Sequence, residues 1–450
     1  MCPNSYQYLD FSIREIQLVN YRKFDALTVT LHQQITALTA LNGGGKSAVL
    51  QALAVGCAHF VYGLGIYPGI RNGFSPDDHM LVPQEGMAMV PAQGDMEIHC
   101  KGSILGCEAE WSRELSHKVN AKTRYGNALV LQRAASELLH QSADFDSKVS
   151  DTYPVAPVIA FYDTRRLARE SRLTEKRKPQ QHNRFEGYAD CLALGSYIRV
   201  FKNWFKGICA QLLQETHGSP RHAMLNNQRN IVDNAVSSAL RHVQWSNLKW
   251  DFIKNDLTLE HPETGTLCFS QLSDGIQNVL NMVADLAHRA VRLNPCAPPD
   301  LLSHIKGFVL IDEVDMYLHP QWQQQIIPVL CTIFPCVQFV ISSHSPQVLS
   351  TLRKEQIRCI AKNAENRYSA LEPQVNPYAK ASSSALAGVL DTPSVPTLAE
   401  TPEIERLEAL YVAGEDDQAG NLRKALSMRG VDIPQEDIDF WRFIAGKQNR

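Results

Sequence analysis

The chain has 450 residues, a net charge of −3 and 11 cysteines. That length fits two or three domains, or one large domain with insertions, and the near-neutral charge excludes a global field that draws the protein onto nucleic acid, so any basic contact surface is local. The cysteines include no C-x-x-C pair and no Cys/His cluster at zinc spacing, which fits reduced core thiols of a cytoplasmic protein better than a disulfide framework or a zinc site.

The N-terminus, Met1-Cys2-Pro3-Asn4-Ser5-Tyr6, has no basic segment followed by an apolar run, so no signal peptide is expected. No apolar stretch reaches the ~20 residues of a membrane span. From Phe11 to Val29 apolar and β-branched residues alternate, predicting two strands with a turn at Asn20-Tyr21-Arg22-Lys23-Phe24. Ile35 to Leu41 is an apolar run ending in glycines, a buried strand feeding a loop, and Ser47 to Phe60 has helical spacing. Residues 62–95 are rich in Gly and Pro and read as irregular. Met96 to Leu115 predicts a hairpin turning at Lys101-Gly102-Ser103; Asn127 to Leu139 predicts a helix capped by Asn127. Ala156 to Tyr162 predicts a strand, followed by a basic loop from Arg165 to Arg184 with eight Lys/Arg against Glu170 and Glu175.

Helices are expected from Ser196 to Thr216 and from about Met224 to His242, and strands between Leu248 and Leu259. Gly275 to Leu293 is helical and ends at a Pro-rich break. Gly307–Ile311 and Val337–Ile341 are short, apolar runs of the kind found in a parallel sheet buried on both faces, with Trp322 to Phe334 as the crossover helix. Residues 374–398 read as a linker with one short helix. The segment from Glu400 to Arg450 is helical and acidic, with eleven Asp/Glu against seven Lys/Arg.

Four pieces of this chain carry one chemistry. Ala40-Leu41-Asn42-Gly43-Gly44-Gly45-Lys46-Ser47 lies between an apolar strand and a helix, the context of a phosphate-binding loop. Asn42, Gly43, Gly44, Gly45, Lys46, Ser47 and Ala48 are the expected nucleotide contacts: amides and the helix N-terminus face the phosphates, Lys46 reaches the β- and γ-phosphates, and Ser47 ligates Mg²⁺. The first glycine of the usual pattern is Ala40 here. Asp312-Glu313 closes an apolar run; Asp312 is expected to hold Mg²⁺ and Glu313 to polarise the attacking water. Alone, a solvent-facing acidic pair is the better reading of Asp312-Glu313; the spacing to the Gly-rich loop and the following Leu318-His319-Pro320-Gln321-Trp322-Gln323 overturn it. His344, directly after the next strand in Ser342-Ser343-His344-Ser345, can donate to the γ-phosphate.

Leu272-Ser273-Asp274-Gly275 is short and weak by itself. Ser273 or Asp274 can simply cap the following helix, and that reading is compatible with Ser273 and Gly275 facing a nucleotide held by a second copy. Tyr21, Arg22 and Phe24 are candidates to stack on or flank adenine, against ordinary turn packing. The basic loop is most simply a solvated surface, because few aromatics interleave with its charges. No nuclease motif is found. Ala413-Gly414-Glu415-Asp416-Asp417 lacks the second acidic strand end that a toprim nuclease requires and reads as a loop between helices.

In motif order, and in Ile311-Asp312-Glu313, Leu318–Gln323 and Ile341–Pro346, residues 11–362 resemble the RecF/SMC/OLD-like ABC ATPases. The transporter branch is disfavoured, since the glutamine that usually follows its signature is Ile276 here. Pro157–Tyr162 with Arg166, Gly187-Tyr188, Trp204-Phe205 and the acidic tail resemble the ATPase subunit of Septu anti-phage systems (PtuA), including the form attached to retrons. The resemblance implies an α/β ABC-type P-loop head with ATP and Mg²⁺, a head-to-tail homodimer around the nucleotide, and a partner HNH nuclease (PtuB-like). In a retron setting it also implies a reverse transcriptase and its RNA–DNA product. No Q-loop glutamine is placed. The expected division is lobe I over 1–162, a basic loop and helical insertion over 163–246, lobe II over 247–373, and a linker with a partner-docking tail over 374–450. The alternative is a stand-alone RecF-type DNA-repair ATPase that binds DNA through Arg165–Arg184; an OLD-type nuclease ranks third.

Overall fold

A computed structural model of the chain describes residues 3, 5–69, 74, 76–82, 89–116, 127–166, 183–194, 198–379, 389, 400–435, 437–439 and 441. It divides into two compact units, Met1–Asp391 and Thr392–Arg450. Most of the basic loop and most of the linker fall outside the described residues.

In the first unit, β1 (Ser5–Tyr8) precedes the expected hairpin of β2 (Phe11–Tyr21) and β3 (Phe24–Thr30), which turns at Arg22–Lys23. β4 (Ile35–Thr39) is buried throughout and passes through the Gly-rich loop into α1 (Lys46–Gly63). The Gly/Pro-rich stretch holds β5 (Leu81–Val82) and β6 (Val90–Pro91). β7 (Met96–Ile104) and β8 (Cys107–Leu115) form the second hairpin, but its turn is Leu105-Gly106, with φ of 51° and 85°. Gly102, expected in that turn, is a strand residue: a Cβ there would stand 1.9 Å from the Ser12 carbonyl oxygen, so the glycine serves close approach of β2. α2 (Leu129–Asp146) starts after Ala128 with no side-chain cap, so Asn127 is not the cap expected.

β9 (Thr152–Val155) and β10 (Val158–Tyr162) lead to α3 (Ile198–Gln214) and α4 (Pro220–Ala239). Ser219 caps α4, accepting from the His222 amide at 3.0 Å, with Pro220 at the first helical position. The alternating stretch yields β11 (Ser246–Asp251) and β12 (Asp256–His261), and β13 (Gly265–Cys268) adds a strand the pattern did not announce. There follow α5 (Asp274–Leu293), α6 (Leu301–His304) and β14 (Gly307–Ile311). The crossover is two pieces, α7 (Pro320–Gln323) and α8 (Ile326–Ile333), where one helix was expected. β15 (Val337–Ser342), α9 (Pro346–Leu349), β16 (Ile357–Lys362) and β17 (Tyr368–Leu371) complete the unit.

The central sheet has the order β10-β14-β15-β4-β16-β17, parallel except for β17. Its strands obey the period of two that burial on both faces demands. Val309, Ile311, Phe339 and Ile341 enter one core with α4, α5 and α8, while Phe308, Leu310 and Val340 enter the other with α1. That second core also takes the inner face of the antiparallel sheet β3-β2-β7-β8. α1 therefore lies between two sheets, which explains why it is apolar nearly all round.

The second unit pairs α10 (Thr401–Ala413) with α11 (Asp416–Met428) around Leu407, Tyr411, Ala419, Leu426 and Ile438. Gly414 ends α10 at φ 79°, and Asp416 and Asp417 already form the first turn of α11, where acidic side chains suit the helix dipole. The loop is thus shorter than the expected Ala413–Asp417.

Candidate functional site

Parallel neighbours in one sheet bring their C-terminal ends to one edge, the place where open α/β sheets form crevices. Here Tyr162 pairs with Ile311, Ile311 with Ile341, and Ser342 with Leu38. The residues that leave these strands are Asp163, Asp312-Glu313, Ser343-His344 and the Gly-rich loop. Three of the four motifs separated by hundreds of residues in sequence are therefore neighbours.

The Gly-rich loop is held by its own backbone and by the β2–β3 turn. The Gly44 amide donates to the Leu41 carbonyl at 2.8 Å, and Gly43 and Gly45 have φ of 71° and 95°. At Gly45 a Cβ would also meet Phe24 Cζ at 2.4 Å, so position 45 needs glycine for conformation and for space. Lys23 Nζ donates to the Gly43 carbonyl at 2.6 Å from above the Tyr368 ring. α1 begins at Lys46 without a side-chain cap, leaving the first-turn amides to face the loop. Asn42 and Gly43 are exposed, Gly44, Gly45 and Ser47 half-buried, Ala48 buried. Ala40 packs its methyl against the turn, where a Cβ on Gly44 would stand 2.4 Å away.

Lys46 is buried at 7% exposure, and its ammonium hydrogen-bonds His344 Nε2. Burial pulls Lys46 below its ordinary pKa, with Lys23 acting the same way, against Asp312, Glu313 and Asp315. Burial and then Lys46 also hold His344 below its usual value. With Lys46 charged, His344 is neutral and accepts.

Asp312 is buried and accepts from the Ser342 hydroxyl, whose oxygen accepts the Glu313 amide at 2.8 Å. Glu313 is exposed and has φ 46°, a left-handed conformation rare for a side chain of this kind. Ser343 Oγ donates to Asp315 at 2.6 Å, and Ser345 Oγ donates to Gln323 Oε1 at 2.7 Å, which ties the Leu318–Gln323 stretch to the strand-end loop. Arg166, 2% exposed, donates to the carbonyls of Asp312 and Glu313 at 2.6 and 2.7 Å. Burial draws its guanidinium down to about 10, opposed chiefly by Asp312 and Asp163, so it remains charged at neutral pH.

The donor set fits a magnesium ion that keeps phosphate and water ligands: Ser47 offers a hydroxyl and Asp312 a carboxylate. Among the described residues no cluster of three or more His, Cys, Asp or Glu could hold a metal without such help.

Ser273 is exposed, occupies the N-cap position of α5 and makes no side-chain cap bond. Gly275 packs on the turn after Glu313, where a Cβ would lie 2.9 Å from the Tyr317 carbonyl oxygen. Among the described contacts none joins Ser273 or Gly275 to the Gly-rich loop of the same chain. The adenine role expected of Tyr21 does not hold: the ring is fully buried against Phe74. Arg22 pairs with Asp78 at 2.8 Å and reaches Gln51 on α1, so it flanks the loop helix while engaged in an ion pair.

Sequence reasoning assigned no role to Ser342, Asp315, Lys23 or Asn278, and noted Arg166 as part of a resemblance, of a strand end that could approach the nucleotide or a partner, and of the basic loop. Ser342 and Asp315 lie inside or beside motifs that could have flagged them. Asn278 and Lys23 carry no pattern.

A sheet whose parallel strand ends gather a Gly-rich loop, an acidic pair and a histidine is the frame of an α/β P-loop ATPase. A family model described as "AAA domain, putative AbiEii toxin, Type IV TA system" matches residues 161–350. The chain is 27% identical over 453 residues to "Retron Vc95 probable ATPase" of Vibrio cholerae serotype O1 biovar El Tor, covering 90% of this chain and 84% of that one. It is 26% identical over 402 residues to "Retron Ec83 probable ATPase" of Escherichia coli, covering 77% and 70%. A 94-residue stretch is 34% identical to "Septu protein PtuA" of Bacillus mycoides (strain KBAB4), 21% of this chain and 12% of that one. The "SMC head domain from Thermotoga maritima" superposes with a TM-score of 0.43 at 13% identity, over 81% of this chain and all of that one, a likeness too slight to bear on the reading. The chain is an ATPase, similar in sequence to the retron ATPases and, over shorter stretches, to Septu PtuA. No helix among the described residues is long and apolar enough to cross a membrane.

Proposed function

We propose that this chain is the ATP-driven regulatory subunit of an anti-phage defence complex, and that two copies close head-to-tail around ATP to control a partner HNH nuclease. The supporting observation is the convergence of Lys46, Asp312, Glu313 and His344 on one sheet edge, with Ser273 exposed at the start of α5 beside the turn that follows Glu313. In this reading the amides of Asn42 to Ala48 and the Lys46 ammonium bind the phosphates. Ser47 and Asp312 hold Mg²⁺, which when bound neutralises charge on the phosphate oxygens. Glu313 accepts the proton of the attacking water, and His344, released from Lys46, donates to the γ-phosphate. Arg22 flanks the nucleotide from beside α1. The second copy supplies Ser273 and the amides at the start of its α5.

The domain reading keeps lobe I at 1–162, the insertion at 163–246, lobe II at 247–373 and a partner-docking tail after 374. In a retron setting a reverse transcriptase and its RNA–DNA product join the complex.

The test is a pull-down of the tagged chain expressed with its native neighbouring genes, with and without the segment from Glu400 onward. Co-purification of a small nuclease that depends on that segment supports the reading. Recovery of the chain alone, with ATPase activity stimulated by DNA and salt-sensitive DNA binding, moves the assignment to a RecF-type repair ATPase.

A further inference from the structure

The peptide from Asp312 to Tyr317 is gripped from three elements. From β15, Ser342 receives the Glu313 amide and Ser343 donates to Asp315. From the end of β10, Arg166 donates Nη1 to the Asp312 and Asp163 carbonyls at 2.6 and 3.1 Å and Nη2 to the Glu313 carbonyl at 2.7 Å. From α5, Asn278 Nδ2 donates to the Met316 carbonyl at 2.8 Å, while Asn278 Oδ1 accepts Arg166 Nε at 2.7 Å. Arg166 and Asn278 are thus one unit that holds carbonyls 312, 313 and 316 together.

A buried guanidinium is expensive unless its donors are met, and here one planar fork meets four acceptors. Lysine, a compact charge with no fork, cannot reproduce that geometry. Two consecutive carbonyls turned toward one cation fix the peptide plane between Asp312 and Glu313, and with it the left-handed φ at Glu313. The same unit reaches the helix whose first residues are Ser273 to Gly275, one turn before Asn278. A second tie, from Tyr162 Oη to Asp285 Oδ2 at 2.9 Å, fixes the middle of that helix to the end of β10, four residues before Arg166.

We propose that Arg166 is a positioning residue for hydrolysis: it sets the Glu313 backbone, and through Asn278 it makes that setting depend on what engages the start of α5. The proposal rests on Glu313 acting as the base.

The test is steady-state ATPase kinetics of the full chain carrying Arg166→Lys, Asn278→Ala, both changes, or Glu313→Gln, with binding of a fluorescent ATP analogue measured in parallel. Arg166→Lys and Asn278→Ala are each expected to lower kcat at least about tenfold, as small misplacements of catalytic groups do, with the analogue's affinity and KM changed less than about threefold. The double variant is expected to be no worse than the poorer single one, because both act on one carbonyl grip. If Arg166→Lys does not fold, Asn278→Ala, which keeps the guanidinium, carries the test alone. Unchanged kcat in the singles beside an inactive Glu313→Gln overturns the positioning role and leaves the base in place. Equal losses of affinity and kcat with a lowered Tm also overturn it, since a merely structural contact behaves so. Wild-type turnover in Glu313→Gln removes the base and overturns both readings.

Discussion

The Asp312–Tyr317 turn and the start of α5 touch each other, yet they are built on opposite principles. Around the turn, buried polar groups are bound to one another: Asp312 to Ser342, Asp315 to Ser343, the backbone to Arg166 and Asn278. At the start of α5 the Ser273 hydroxyl is exposed and caps nothing, and the neighbouring Tyr317 side chain is 58% exposed at φ 62°. Unpaired donors at a helix N-terminus suit an anion from outside the chain. In the proposed head-to-tail arrangement, one half of the chemistry is pre-organised within the chain, while the other half is displayed for a second copy to meet.

The strongest way to break that contrast is to remove groups on the organised side. Lys46→Ala and Glu313→Gln are each expected to cut ATP turnover by at least about 100-fold, the scale of losing a phosphate-binding charge or a general base. They should part in binding: Lys46→Ala loses nucleotide affinity, whereas Glu313→Gln keeps it and accumulates as a nucleotide-bound dimer in light scattering. Glu313→Gln that turns over ATP like the wild type, or stays monomeric with saturating ATP, counts against the site.

On the displayed side, the proposed dimer predicts that Ser273→Arg lowers turnover by roughly tenfold or more while leaving each chain's own nucleotide binding intact, since in that arrangement Ser273 faces the γ-phosphate held by the second copy. Mixing sharpens the comparison. A chain with Lys46→Ala offers an intact α5 start, and one with Ser273→Arg offers an intact loop. Together they should recover activity that neither has alone. Absence of recovery, with both proteins folded and mixed well above the concentration of half-maximal wild-type activity, sinks the head-to-tail arrangement.

How much of this was legible depends on how local each feature is. The Gly-rich loop, the acidic strand end and the histidine after the next strand are short stretches whose residue types announce their chemistry, and parallel-strand topology then assembled them. The grip on Glu313 was not legible, because Arg166 and Asn278 act on carbonyls 146 and 38 positions away through side-chain geometry that no periodicity records. Tyr21 failed for another reason. β2 is irregular between Ile13 and Glu15, and Asn20 has φ 49°, so the inward parity of Phe11 and Ile13 passes to Ile16 and Leu18 and then back to Tyr21. A strict alternation cannot place a residue beyond two such breaks. The Leu105-Gly106 turn was missed because glycine at 102 serves packing, and glycine alone does not say which of its uses applies.

A smaller effect tests the loop's own construction. Gly45→Ala combines strain at φ 95° with a Cβ driven into Phe24, and is expected to cost about 1–3 kcal/mol of stability, read by denaturant unfolding, with ATP affinity reduced alongside. Trimming the clash with Phe24→Leu should recover the packing part only, because the backbone strain stays. Full recovery by Phe24→Leu would show that space, not conformation, dictates glycine there.

The smallest expected effect concerns the far end of α5, where the contrast with its exposed start is greatest. His288 is buried beside Trp204, and its Nδ1 stands 3.8 Å from Asp285 Oδ1, too far for a hydrogen bond. Burial holds His288 below its ordinary pKa, more than the Asp285 carboxylate raises it. Burial alone would raise the Asp285 carboxyl, but Arg289, whose Nε donates to it at 2.7 Å, and His288 bring it below the usual range. The signs then separate by pH. The unfolded chain protonates position 288 near pH 6.5 while the folded chain resists, so the stability this residue contributes is present above about pH 6.5 and is lost as pH falls below it. The contribution of Asp285 is lost only below the unfolded carboxylate value near pH 4. Between pH 7.5 and 5.5 the wild type should therefore lose stability on the order of 1 kcal/mol more than His288→Leu, whatever the variant's own baseline. Parallel pH profiles for the two proteins would place the acid sensitivity elsewhere, with His32 and His344, also held below their ordinary values by burial, the next groups to replace. A flattened profile in His288→Leu with unchanged turnover at pH 7.5 would mark the inner end of α5 as a fixed anchor, against which its displayed end can report.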